Sequence, residues 1–241
     1  MRNRLGAVCL LILIGVGAYT LITTPSFRIK SITIEGCNFI PSEEIYTHVE
    51  SLKGQHSLVV LRSYKHEKEI KAQYPAIDKI DISLQFPNKL QVQIIEKKEW
   101  VSYLTNQANK IIAKDGTILN QYTNAPQVSG LDQMIIIRGI KDDALQGNSI
   151  DRTLLQKTER IVSNIRYYFP YKNIQIEFID NDHLILIKED TLPIKLGKLE
   201  HIEDKFRNLM YFFRQYPEKE NRLDYIDLRI KDRIVVKERN G

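Results

Sequence analysis

Two hydrophobic patterns divide the chain. Leu5 to Ile22 is an uninterrupted run of apolar and small residues without a charge, whereas the remainder alternates or recurs at helical spacing. The eighteen residues of the run, rising about 1.5 Å each, reach roughly 27 Å against a hydrocarbon thickness of about 30 Å. It predicts one membrane-spanning helix over residues 5–22, with Leu5, Leu10, Leu13, Val16, Leu21 and Ile22 as its apolar anchor. Arg2 and Arg4 precede the run and no Lys or Arg follows before Arg28. That bias keeps the tail of residues 1–4 cytoplasmic and places the chain from about residue 26 outside. Val16 and Ala18 would also fit a signal-peptidase site, which would release a soluble protein. The run continues past them through Tyr19, Leu21 and Ile22, beyond the about 7 to 15 residues of a signal core, so the anchor is favoured.

A first folded region is expected over residues 27–99. Phe27, Ile29, Ile32 and Ile34 mark an opening strand whose alternation shifts phase at Lys30-Ser31. Pro41-Ser42 starts a helix with Ile45, Val49 and Leu52 on one face, stopped by Gly54. A second helix runs from Ser63 to Gln73, with Ile70 and Tyr74 inward and Pro75 at its end. Ile80, Ile82, Leu84 and Phe86 then alternate, Pro87-Asn88 turns the chain, and Leu90, Val92 and Ile94 alternate back.

The second region, residues 100–241, carries a tight turn at Asp115-Gly116 between Ile111-Ile112-Ala113 and Ile118-Leu119. Met134 to Ile137 is a short strand. Ile150, Leu154, Thr158, Ile161, Ile165 and Tyr168 line one helix face, with Asp151 at its start and Pro170 closing it. Ile174, Ile176 and Phe178 pair across Asn181-Asp182 with Leu184 and Leu186, and Leu192 to Gly197 adds a strand. Leu199, Ile202, Phe206, Leu209 and Phe213 form a last helical stripe. Leu223 to Ile230 reads as a strand with Ile226, Leu228 and Ile230 on one side and Tyr225, Asp227 and Arg229 on the other. A turn at Lys231-Asp232 leads to a final strand, Ile234 to Val236, which would be a sheet edge.

Composition narrows the functional classes. The 35 basic and 30 acidic residues are interleaved with no long like-charge block, so the net charge of +5 does not make a nucleic-acid surface. The two cysteines are Cys9, inside the membrane run, and Cys37, so no intramolecular disulfide can be drawn. The five histidines are scattered and His66-Glu67 lacks the second His of a zinc helix. Asp180-Asn181-Asp182 lacks the glycine and the later Glu of a calcium loop. No nucleophile elbow, phosphate loop or dinucleotide fingerprint occurs, so no catalytic residue, metal or cofactor is expected, nor a small-molecule substrate.

The phrases FRIKSITIEG, IPSEEI and YPAIDKIDISLQFPNKLQVQIIEKKE resemble the first strand, first helix and closing hairpin of a POTRA domain. AKDGTIL, LPIKLG running into KLEHIEDKFRNLMYFF, and YIDLRIKDRIVVK resemble the β domain of the bacterial cell-division family FtsQ, called DivIB in some lineages. The resemblance implies an α+β protein. A POTRA domain of order β-α-α-β-β follows the anchor, and then a second α+β domain with a mostly antiparallel sheet and two helices. It implies an inner-membrane protein of the division septum that binds FtsB- and FtsL-like partners through its C-terminal strands and links division-site assembly to septal peptidoglycan synthesis. Residues expected at that contact are Tyr225, Asp227, Leu228, Arg229, Ile230, Asp232 and Val235. Arg229 matches the family's Asp-Leu-Arg signature and would meet a partner carboxylate, while Ile230 stands where an aromatic is frequent. The plainer alternative pairs Arg229 with Asp227 or Glu238 within the chain. A periplasmic chaperone with a POTRA domain is the competing function, disfavoured because no series of barrel-type strands occurs. A cell-wall enzyme is the third.

Overall fold

The computed structural model describes residues 12–17, 19, 24–105, 109–122, 134–145, 147–169, 174–180, 183–188 and 191–239. Of the predicted anchor, Leu13 and Val16 belong to a helical stretch over residues 12–17, while Leu5, Leu10, Leu21 and Ile22 lie outside the described residues. Among the described residues no helix is long and apolar enough to cross a membrane. Pro170 and the predicted turn at Asn181-Asp182 also lie outside them. The chain forms two compact units, Met1–Lys97 and Lys98–Gly241.

The first unit is a three-stranded sheet with two helices. β1 (Ser31–Glu35), α1 (Ser42–Val49), α2 (Ser63–Gln73), β2 (Ile77–Gln85) and β3 (Lys89–Glu96) follow in that order. The sheet order is β1-β3-β2, with β1 parallel to β3 and β2 antiparallel to it. Ile45 and Val49 of α1 and Ile70 of α2 are fully buried along with Leu90, Val92 and Ile94 of β3. Each such side chain contributes roughly 1.5–3 kcal/mol of burial.

The phase shift at Lys30-Ser31 proves to be a change of partner. Arg28 bridges to His56, and the Ile29 N–H donates to the Gln55 carbonyl at 2.9 Å. From Ser31 onward the chain pairs with β3. Phe86, expected in the alternating inward set, is instead 75% exposed at the tip of the β2–β3 hairpin. The Glu that ends β3 fastens the loop between β1 and α1. Its Oε1, on Glu96, accepts the N–H groups of Asn38, Phe39 and Ile40 at 3.0–3.1 Å, bonds strengthened by the carboxylate charge.

The second unit is built on an eight-stranded sheet in the order β11-β10-β9-β8-β7-β6-β4-β5. Its strands are β4 (Glu99–Leu104), β5 (Asn109–Ala113), β6 (Ile135–Arg138), β7 (Ile174–Phe178), β8 (Leu184–Lys188), β9 (Leu192–Gly197), β10 (Leu223–Asp227) and β11 (Val235–Glu238). Four pairings are antiparallel and three parallel, so the sheet is mixed rather than mostly antiparallel. The sequence reading missed β4, whose Trp100, Val101, Ser102 and Tyr103 are all buried and therefore do not alternate.

α3 (Arg152–Tyr168) follows β6, and α4 (Ile202–Gln215) follows β9. Asp151 caps α3 by accepting the N–H groups of Thr153 and Leu154 at 2.8 and 3.0 Å. The two helices share the sheet's core: Phe206 of α4 lies 5.9 Å from Tyr168 and 6.2 Å from Phe169, ring centre to ring centre. Arg160 of α3 clamps Glu203 of α4 at 2.8 and 2.9 Å. The return leg after Gly116 makes isolated bridges, Ile118 to Ile112 and Thr117 to Ser149, and then a short 3-10 turn rather than a strand.

Candidate partner-binding edge

The C-terminal residues form one end of the large sheet. β10 runs parallel to β9 through Ile226–Ile194 and Asp227–Lys195, and β11 lies antiparallel on its other side with Tyr225 opposite Lys237 and Ile226 opposite Val236. Among the described residues β11 is therefore an outermost strand, as expected of the terminal segment. Every second backbone amide and carbonyl of an edge strand faces away from the sheet, where another chain's strand can pair with it.

The strand predicted to reach Ile230 stops at Asp227. The turn is made by the Asp227 carboxylate, which accepts the Arg229 N–H at 3.0 Å through Oδ1. Arg229 Nε donates to Oδ1 and Oδ2 at 2.9 and 3.0 Å, and Nη2 to Oδ2 at 2.6 Å. The expected intramolecular pairing of Arg229 is thus to Asp227, while Glu238 pairs with Lys219 at 3.2 Å. Hydrogen bonds from Arg229 hold the Asp227 carboxyl below the usual carboxylate range, against the opposing effect of burial.

The break in the strand redistributes the expected residues. Ile226 and Leu228 are buried, so Leu228, expected at the partner contact, packs into the core instead, whereas Ile230 is 52% exposed and belongs to a surface loop. Tyr225 and Asp227 stay on β10; Leu228, Arg229, Ile230 and Asp232 lie in the connection; Val235 opens β11 and is 41% exposed. Asp232 takes a left-handed conformation at φ 58°, which an Asp tolerates in a tight turn. The Leu228 N–H still donates to the Lys195 carbonyl at 2.9 Å, so the connection stays fastened to β9.

Neighbours that the sequence reading did not single out complete the edge. Lys195 Nζ sits 3.9 Å above the Tyr225 ring, and Lys237 pairs with Asp224 at 2.9 Å. Gly197, at φ 66°, lies under the Arg229 side chain, where a Cβ would stand 2.8 Å from Arg229 Cγ. An open groove of about 410 Å³ runs between this connection and the start of α4, lined by Gly197, His201, Lys205, Arg229, Ile230 and Arg233 among others. Lys205 donates to the Leu196 and Lys198 carbonyls at 2.8 and 2.6 Å, and burial pulls its pKa down. LPIKLG was legible as a motif, but only the fold shows that its Gly197 lines this groove. Among the described residues no group of three or more His, Cys, Asp or Glu is placed to hold a metal ion.

A β-α-α-β-β unit followed by a mixed-sheet α+β unit defines a two-unit protein whose first unit has the element order of a POTRA domain. The family model for the FtsQ-type POTRA domain matches residues 27–97, and the model for the FtsQ/DivIB C-terminal region matches residues 102–229, just over half of the chain. The chain belongs to the FtsQ/DivIB family of cell division proteins. It is similar to a cell division protein DivIB of Clostridium botulinum, 22% identical over 233 residues that cover 94% of this chain and 89% of the relative. A DivIB of Clostridium acetobutylicum is 27% identical over 179 residues, 74% of this chain and 62% of the relative. The family match ends at Arg229, so β11 lies beyond it.

Proposed function

We propose that this chain is a non-catalytic scaffold of the division machinery, held in the inner membrane by residues 5–22. The tail of residues 1–4 is cytoplasmic, and the two folded regions, 27–99 and 100–241, lie outside at the septum. It captures FtsB- and FtsL-like division proteins at the β10–β11 edge and so connects division-site assembly to the enzymes that build septal peptidoglycan.

The observation that carries this reading is the open edge of β11 beside two exposed apolar side chains, Ile230 and Val235. Main-chain pairing along that edge supplies affinity, and the flanking side chains select the partner. From Leu228 to Arg239 the chain has five basic and two acidic residues, so the segment it prefers is acidic with apolar anchors. Arg229 is half exposed while bonded to Asp227, and it reaches a partner carboxylate without giving up that bond.

The test is co-purification of the full chain with its FtsB- and FtsL-like partners. Ile230→Asp and Val235→Asp change exposed positions, so capture is expected to fall at least tenfold with folding retained. Capture unaffected by both would remove the edge from the reading. Capture of the wild-type chain should also weaken as salt rises, because rim charges are screened beyond about 8 Å at 0.15 M ionic strength.

A further inference from the structure

We infer that one end of the first unit is a bilayer contact, at which Phe27 and Phe86 enter the interfacial layer of an anionic membrane while Arg28, Lys30, Lys53 and Lys89 meet its headgroups. The inference rests on the reading of residues 5–22 as an anchor.

Three stretches distant in sequence are tied together at this end. Asn88 Nδ2 donates to the Ser26 carbonyl at 3.2 Å, and the Lys30 N–H donates to the Asn88 carbonyl at 2.8 Å. Ile29 bonds both ways with the segment after α1, its N–H to the Gln55 carbonyl at 2.9 Å and its carbonyl accepting the Gly54 N–H at 2.8 Å. Residues 24–31, 53–58 and 84–91 thus share one surface. They carry four Lys or Arg and not a single Asp or Glu, in a chain whose charges otherwise interleave. Glu35 touches its margin, its Oε2 accepting from Gln91 Nε2 at 3.2 Å, and the three segments themselves remain wholly basic, complementary to anionic headgroups.

The apolar component lies on the same surface. Phe86 is 75% exposed, its ring centre 5.5 Å from that of Phe27, and Leu58 is 55% exposed. Phe and Leu side chains flanked by Lys and Arg bury themselves at the headgroup–acyl boundary while the cations stay among the headgroups. Position decides the occupant. Phe27 follows Ile22 by five residues, a reach of at most about 18 Å even fully extended. The cluster is therefore held beside the point where the anchor leaves the bilayer. Tethering makes the contact intramolecular in effect, so weak individual attractions suffice. Each cation near an anionic surface strengthens the contact about fivefold.

The test uses the full chain reconstituted into vesicles containing phosphatidylglycerol and lipids brominated near the headgroup. The wild-type chain, with its single and buried Trp100, is the blank. Phe86→Trp is expected to show blue-shifted emission and loss of intensity on the brominated lipid. Both effects should fade when Arg28, Lys30, Lys53 and Lys89 are all changed to Gln. Flotation after an alkaline wash separates the two layers of the reading. A chain that floats while Trp at position 86 stays unquenched overturns the bilayer contact alone. A chain that fails to float overturns the anchor and this proposal together. Quenching that ignores both phosphatidylglycerol and the Gln changes would remove the four cations from it.

Discussion

At the scale of single residues, Asp227 links sequence, turn and pH response. Its pKa is depressed in the folded chain, chiefly by the hydrogen bonds from Arg229. The stability it contributes is therefore present above its unfolded value, near 4, and is lost as pH falls through the lower folded value. Asp227→Asn should lower the urea midpoint at pH 7, and the gap to wild type should close as the pH drops below about 4; a gap constant with pH would contradict this account. Cys37 behaves in the opposite sense. Burial, assisted by Glu96 and Glu43, pushes its thiol up to about 11. Its thiolate at neutral pH is on the order of a hundredfold scarcer than that of an ordinary cysteine, so alkylation mapped to Cys37 by mass spectrometry should be correspondingly slow. Gly139, at φ 76°, has no room for a side chain because a Cβ would meet the Phe178 carbonyl. Gly139→Ala should cost at least about 1–2 kcal/mol and lower the melting temperature by roughly 2–4 °C per kcal/mol. None of these three roles follows from residue type alone, since each depends on a neighbour brought in by the fold.

At the scale of elements, periodicity was a good guide wherever one face is wet and the other dry. α2 matches its predicted limits at Ser63 and Gln73, and β7, β8 and β9 bury alternate residues as their patterns require. It failed where that contrast is missing. β4 is covered on both faces and has no alternation to read, and β10 ends early because a side chain, Asp227, competes for the backbone. The aromatic contact between α3 and α4 is the element-level feature that most concentrates stability. Phe206→Ala removes a fully buried ring stacked on Tyr168 and should cost about 3–5 kcal/mol, measured by chemical denaturation. A cost below about 1 kcal/mol would mean that the helices are not joined through that ring.

At the scale of the whole molecule, the proposed anchor over residues 5–22 is what would relate the folded units to a membrane. An N-terminal fluorescent fusion should give a mid-cell band in dividing cells if the anchor and the division role both hold. A uniform membrane outline would keep the anchor and remove the septal role, whereas a diffuse signal from a small tag fragment would mean that the run is cleaved. The sequence by itself determined the number and kind of most elements, the hairpin at Pro87-Asn88, the cap of α3 and the family, because those depend on local periodicity, turn chemistry and short motifs. Only the tertiary structure decided that three basic segments at one end of the first unit share a surface, that Arg229 is bonded to Asp227, and that β11 is the outermost described strand of an eight-stranded mixed sheet. Strand order and the neighbours of a charge depend on contacts between residues tens of positions apart, and a one-dimensional pattern of polar and apolar residues carries no information about which distant segments meet.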